Sequence, residues 1–352
     1  MKVGLIGFGS SGKSTLYRAA ARGVAKGDVT AVPVPDHRFD TIVTQVKPKK
    51  ITPATVVLHD DIEAIQGGGT KMFSQRFLDS ARTVDLLLHV VRGFDSPTAP
   101  YYTDVDPLRD QQSVDEECVL ADLQILENRL ERLAKSQNAK TPGHNDYLEK
   151  LLFERIKPDV EGGTPIRAIE MTEEDQTIIR NYQFLTGKQM VVAFNVGEDE
   201  AGKAGERIQK RIDELAKNGT QAFAVCATLE EEVAQLDPAD QPEFLADLGI
   251  TQTAGAKLIK AVYDALGLIT FFTAGENETR AWPLRNGSSA LKAAGTIHTD
   301  IAKGFIRAEV VHYDDYLAAG SLDAAYHNQK MHLEGKDYVI RDGDLLHIRN
   351  KS

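Results

Sequence analysis

The sequence predicts an α/β fold: a doubly wound, mostly parallel sheet, interrupted by a helical hairpin and followed by a smaller β-rich domain. Three observations carry this. Short apolar runs alternate with helical stretches through most of residues 1–267. A leucine heptad breaks the alternation once. From residue 268 the pattern changes to short β-runs separated by turns. The 352 residues suffice for two or three domains with cores of their own.

Each element follows in order. "KVGLIG" reads as a buried strand, and "GKSTLYRAAARG" as the helix after it, ending near Gly23. "TAVPVPD" and "ATVVLHD" are short β-rich runs. "DLLLHVVRGF" is almost continuously apolar, the pattern of a strand covered on both faces in a parallel sheet. "QMVVAFNVG" and "QAFAVCAT" are two more strands, with a helical stretch from Ala204 to Lys217 between them. The interruption runs from about Ser113 to Thr186. In it Val119, Leu123, Leu126, Leu130 and Leu133 form a heptad seam, "TPGHND" breaks it, and "YLEKLLFERI" resumes as a second helix. This predicts an inserted antiparallel hairpin, which either packs as a core element or projects as a coiled coil toward a large partner. "ITFFTAG", "TRAWPL", "FIRAEVV" and "DYVIRDGDLLHIR" then build the terminal β-rich domain. The expected domains are 1–112 with 187–267, the hairpin 113–186, and 268–352.

Charge sharpens the division. Net charge is -11, which argues against a mainly electrostatic nucleic-acid binder. Residues 268–352 hold 10 Lys+Arg against 11 Asp+Glu, and the rest of the chain 31 against 41. Five of the nine histidines also lie in that near-neutral tail, which fits a separate domain with a partner of its own. Cys118 and Cys226 cannot build a disulfide framework, so a reducing cytosol is expected. No apolar run approaches the length of a membrane span and no signal peptide is visible, so the expected location is cytoplasmic, away from membranes. The oligomeric state is not legible.

The first strand-to-helix turn carries the chemistry. Gly7-Phe8-Gly9-Ser10-Ser11-Gly12-Lys13-Ser14 matches G-x-x-x-x-G-K-[ST], with a strand before it and a helix after. Glycines let backbone N–H groups turn toward phosphates, and the helix N-terminus adds its positive end. Lys13 is placed to reach β- and γ-phosphate oxygens, Ser14 to bind Mg²⁺, and Thr15 to add a phosphate contact. The motif does not choose ATP over GTP, or hydrolysis over binding. Guanine readers carry N-K-x-D after a late strand. Here that place reads Asn195-Val196-Gly197-Glu198. A carboxylate one methylene longer does not meet guanine's edge in the same way, and adenine would be read by backbone groups near Val196.

With these residues in view the whole chain resembles the YchF and Obg-like ATPases, an Obg-related branch of P-loop proteins. The blocks "PVPDHRFD", "LHVVRGF", "LADLQILENRLER", "FLTGK", "FNVGE", "VCATLEEEVAQL", "FFTAGENETRAW", "AAGTIHTDIAKGFIRAEVV" and "GKDYVIRDGD" occur in the family's order. The resemblance implies a P-loop nucleotide domain with a helical insertion and a C-terminal β-grasp domain of the TGS type. It implies ATP binding with Mg²⁺, often GTP too, slow hydrolysis, and association with the ribosome or RNA through the TGS-like domain and the hairpin. It adds Ala227, in "VCATLEEEVAQL", to the nucleotide set, and makes the TGS-like tail an interaction module in which His298, Lys303 and Arg307 sit around one turn and strand.

Three departures mark a divergent member. Only 17 residues separate Thr15 from Pro33, so the family's loop that senses the γ-phosphate is about ten residues short, with roughly "GVAKGD" left for it. Thr30 and Asp28 are the nearby groups that could compensate. The D-x-x-G element is best matched by Asp61-Ile62-Glu63-Ala64, with Asp61 on Mg²⁺ through water, Asp60 as the other register, and Ala64 in place of the glycine. Ile65 stands where many GTPases use Gln to orient water. The histidine expected a few residues after Arg92-Gly93-Phe94 is absent; Tyr101 or Tyr102 is nearest, and a phenol is a poor base near neutral pH. His89, on an apolar strand, reads as a core histidine with its hydrogen bonds satisfied.

Two readings remain open. One is a ribosome-associated ATPase (or GTPase) with a degenerate catalytic apparatus and weak activity. The other is a non-hydrolysing nucleotide-binding scaffold that keeps the family's interaction surfaces. A small-molecule kinase fits poorly, since no arginine-bearing lid segment is visible.

Overall fold

The computed structural model describes residues 1–351 apart from Arg22, Gly23, Val24, Lys26, Thr70, Lys203 and Pro238. The expected helix end at Gly23 and much of "GVAKGD" therefore lie outside the described residues. The chain runs β1 (Lys2–Ile6), α1 (Lys13–Ala21), β2 (Val29–Pro33), α2 (His37–Val46), β3 (Ile51–Thr52), β4 (Thr55–His59), α3 (Gln75–Arg82) and β5 (Leu86–Gly93). Then follow α4 (Pro107–Lys135), α5 (Asn145–Glu161), α6 (Glu173–Arg180), β6 (Gln189–Val196), α7 (Glu206–Lys217), β7 (Gln221–Val225), α8 (Ala227–Ala234), α9 (Gln241–Asp247) and α10 (Ala254–Leu266). The last stretch holds β8 (Leu268–Thr273), β9 (Thr279–Arg285), α11 (Ala290–Ile297), α12 (Thr299–Lys303), β10 (Phe305–His312), α13 (Tyr313–Ala319), α14 (Leu322–His327), β11 (His332–Glu334) and β12 (Asp344–Asn350).

The first sheet has the order β2-β4-β1-β5-β6-β7, and its pairs β1/β4, β1/β5, β5/β6 and β6/β7 are parallel. The strand order turns outward from β1, so the loop after β1 lies at a topological switch point, where α/β sheets bind ligands. β5 is buried at every position but its last, as its unbroken apolar run predicts.

α4 begins at Pro107, six residues ahead of the expected boundary, because the Asp106 carboxylate caps the amides of Leu108 and Arg109 and proline suits the first helical turn. α5 runs antiparallel beside it. Leu126 faces Leu152, Phe153, Ile156 and Val160 in a buried cluster, with Val119, Leu123 and Leu130 packed at its edge. Arg129 ties α4 to Asp146 and Glu149 of α5.

The chain forms two compact units, residues 1–31 with 57–261, and residues 32–56 with 262–352. Residues 32–56 thus pack with the C-terminal stretch, where the sequence reading grouped them with the first domain. The reason is local. α2 has an apolar face, and Phe39 and Ile42 bury it against Phe272, Tyr313 and Tyr316. β3 extends the second sheet, ordered β11-β10-β12-β8-β9-β3. The Asp36 of "PVPDHRFD" caps α2 and, with Asp342, holds Arg38. Among the described residues, no helix is long and apolar enough to cross a membrane.

Candidate functional site

The turn between β1 and α1 is shaped by residues that tolerate left-handed backbone. Gly12 has φ 88° and Ser10 φ 59°. A Cβ at Gly12 would overlap the Asn195 side-chain amide, so the glycine serves both conformation and close approach. Gly7 and Ser11 are buried, while Gly9, Ser10 and Ser14 are exposed and Thr15 is half-buried. Two tethers hold the turn from behind. Asn195 Nδ2 donates to the Ser11 carbonyl at 3.1 Å, and its Oδ1 accepts the Ala227 amide at 3.0 Å. Arg92, only 2% exposed, donates from Nη1 to the carbonyls of Ser10 (3.1 Å) and Ala99 (2.9 Å) and from Nε to Phe94 (3.0 Å).

At the helix end of the turn, polar groups converge. Lys13 Nζ donates to the carbonyls of Gly7 and Phe8, both at 2.9 Å. Burial pulls its pKa down to about 8, against the charge of Asp60. The Asp60 carboxyl is pushed up by burial and by Asp28, while the neighbouring Ser14 hydroxyl, Lys13 and Arg18 oppose the rise. Asp60 and Asp28 are also joined through their backbones at 2.8 Å. Of the two acidic registers it is therefore Asp60 that meets Ser14. Asp61 is exposed and pairs with His59 at 3.2 Å. Thr30 is buried in β2. The backbone decides this, since β4 ends at His59 and sends the next residue toward the turn.

Past Asp61, the Ile65 amide donates to the Gly7 carbonyl at 3.0 Å, and its side chain is buried in the core. Ala64 is half-buried. The apolar residue at position 65 is thus a packing residue. Tyr102 stacks on Phe8, ring centroids 4.7 Å apart, and lies over Gly67, where a Cβ would overlap its ring. Tyr101 and Tyr102 both donate to the buried Asp110, at 2.7 and 2.6 Å. Burial and Asp110 raise both phenols, Tyr102 to about 12 and Tyr101 further. His89 is fully buried as expected. Among the described residues neither ring nitrogen has a hydrogen-bond partner, however, so the expectation of a satisfied histidine is corrected. Burial, with the charge of Lys13 adding, depresses its pKa to about 3.

Beside Asn195 lies a cavity of about 600 Å³ bordered by Phe94, Thr98, Val196, Glu198, Cys226 and Thr228. Glu198 is exposed at its edge, whereas Ala227 is wholly buried and spends its amide on Asn195. Far along the chain, His298 caps α12 through the Asp300 amide, and Lys303 Nζ lies 3.5 Å from the Asp300 carboxylate. Arg307 is exposed on β10, opposite Arg349 of β12. Reading the sequence missed Arg92 and Asp110. The signal for Arg92 was present, a lone charge closing an apolar strand.

A protein of Bacillus subtilis named "Ribosome-binding ATPase YchF" is 36% identical over 99% of this chain and 99% of its own length. The chain belongs to the YchF and Obg-like ATPase family. A Haemophilus influenzae YchF protein of the same name is 37% identical over 99% of this chain and 98% of its own. "Obg-like ATPase 1" of Oryza sativa subsp. japonica is 31% identical over 99% and 92%. The YchF-GTPase_C family model, described as "Protein of unknown function (DUF933)", matches residues 268–351. The solved Schizosaccharomyces pombe YchF GTPase superposes with a TM-score of 0.86 at 30% identity, covering 99% of this chain and 97% of that one. A GTP-binding protein from Pyrococcus horikoshii OT3 shares the fold at a TM-score of 0.60 and 20% identity, covering both chains fully. The YchF family fold is thus that of this chain, a P-loop α/β sheet followed by a C-terminal domain.

Proposed function

We propose that the chain binds a nucleoside triphosphate with Mg²⁺ on the turn Gly7–Thr15, prefers ATP over GTP, turns it over slowly, and works in association with the ribosome in the cytoplasm. The observation that carries this is the convergence of Lys13, Ser14 and Asp60 at the N-terminus of α1. The amides from Gly9 to Lys13 and the helix dipole stabilise the phosphates. Lys13 exchanges its two carbonyls for β- and γ-oxygens. Ser14 and Asp60, with Asp28 adjoining, are hard oxygen donors that suit Mg²⁺. When bound, the ion neutralises phosphate charge. The cavity beside Val196 takes the base, with adenine read by backbone groups, since the Glu198 carboxylate at its edge is one methylene longer than the guanine-reading Asp and does not meet guanine's edge in the same way. The relatives' printed names support ATP and the ribosome as partners. The exposed His298, Lys303 and Arg307 of the TGS-like domain, with the hairpin, carry the ribosomal contact.

Slow turnover rests on the phenols. Tyr101 and Tyr102 are donors to Asp110 and cannot accept a proton near neutral pH. The same observation favours the second reading, a scaffold that binds without hydrolysing. Titration with fluorescent ATP and GTP in Mg²⁺ tests binding; no saturable binding of either overturns the proposal. Phosphate release above that of Lys13→Ala supports turnover, and release equal to it decides for the scaffold.

A further inference from the structure

A second cleft of the first unit, mostly apolar but bordered by charge, plays no part in the nucleotide site. It lies where α4 passes the turn after α5 and the start of β6, encloses about 390 Å³, and is lined by Asp115, Cys118, Val119, Pro165, Arg167 and Met190, among others. Two opposite charges border it. Arg167 donates from Nη1 to the carbonyls of Thr186 (3.3 Å) and Lys188 (3.4 Å). Among the described residues its guanidinium meets no carboxylate at ion-pair distance. Among the described residues Asp115 accepts one hydrogen bond, from the Gln111 side chain. Burial dominates both groups, pushing Asp115 up to about 6 and pulling Arg167 down, while each is felt by the other as a compensating charge. Desolvated opposite charges that stop short of contact recover only part of their desolvation cost. Between them the wall is apolar, from Cys118, Val119 and Met190.

We propose that this cleft binds a small zwitterion with an apolar body, an α-amino acid bearing a large apolar side chain. Its carboxylate meets Arg167, its ammonium meets Asp115, and its side chain lies on Cys118, Val119 and Met190. The alternatives are disfavoured by the same groups. A simple anion would face Asp115 and the exposed Glu116 and Glu161 at the mouth. A simple cation would pair with the acidic groups but leave Arg167 without an anion. A neutral apolar ligand would leave both charges unpaired, which a buried site penalises.

Calorimetric titration of the full chain with L-leucine, L-methionine and L-phenylalanine, each beside acetate and butylamine as single-charge controls, tests the proposal. The expected result is saturable binding of at least one amino acid and of neither control. Arg167→Met and Asp115→Asn are each expected to weaken that binding at least about tenfold. Should either variant melt without cooperativity, Val119→Phe serves instead, filling the cleft from its edge while both charges stay. Lys13→Ala is expected to bind the amino acid as the unchanged chain does, which separates this site from the nucleotide reading. The proposal is overturned if none of the three amino acids binds, if the single-charge controls bind equally, or if Asp115→Asn and Val119→Phe bind like the unchanged chain.

Discussion

Lys13 is half-way to neutral at a pH where a free lysine is fully charged, because burial outweighs the pull of Asp60. Only the charged form attracts phosphate. Nucleotide affinity is therefore expected to hold below about pH 8 and to weaken above it, by up to about tenfold per pH unit. Fluorescent-ATP titrations from about pH 7 to about pH 10 check this; an unchanged affinity across the range contradicts it. His89 acts on stability instead. Its folded pKa, near 3, lies below the ordinary value of 6.5. The unfolded chain therefore takes up a proton first as pH falls, and stability drops from about pH 6.5 downward. His89→Leu removes two unpartnered buried nitrogens and is expected to stabilise by about 1–3 kcal/mol while flattening that slope. Urea unfolding on either side of pH 6 decides; a destabilised variant with the slope intact would refute the reading.

At the scale of elements, the phosphate turn is held by side chains on other strands rather than by itself. Asn195 on β6 links the turn to the start of α8. Asn195→Asp sets a carboxylate against the Ser11 carbonyl, and a loss of about 2–3 kcal/mol in nucleotide binding is expected, read as a change in Kd. Asp110 plays the corresponding part for α4, gathering Tyr101, Tyr102 and Arg109. Asp110→Ala should loosen the stack on Phe8, with faster amide hydrogen exchange over residues 101–110 and at Gly67; unchanged exchange at Gly67 would show that the stack does not support it. The strands themselves were readable, because apolar runs and periodicity are local. These cross-links were not, because each joins residues 32 to 184 positions apart or phenols whose partner is set by how α4 starts.

For the whole molecule, packing of residues 32–56 with 262–352 changes how a ribosome contact is to be tested. Deleting 269–352 removes Phe272, Tyr313 and Tyr316 from Phe39 and Ile42, so the shortened chain is expected to expose apolar surface and aggregate, seen by light scattering. Full-length Lys303→Glu with Arg307→Glu is the cleaner variant, since both residues are exposed and such changes shift stability by only about 0.5 kcal/mol. Reduced, less salt-sensitive co-sedimentation with ribosomes is expected; sedimentation equal to the unchanged chain would clear these two residues of the contact. The sequence by itself determined most of the strands, the heptad seam, the phosphate turn and the family, because each is written in contiguous residues whose pattern needs no partner, whereas the short β3 and β11 carry no such run. Tertiary structure alone decided that Asp60 and not Asp61 meets Ser14, that residues 32–56 build the second unit, that Ile65 is core, and that Asp115 and Arg167 border one cleft. Those outcomes depend on which distant surfaces bury one another, and a one-residue shift at a strand end reverses which side chain faces inward.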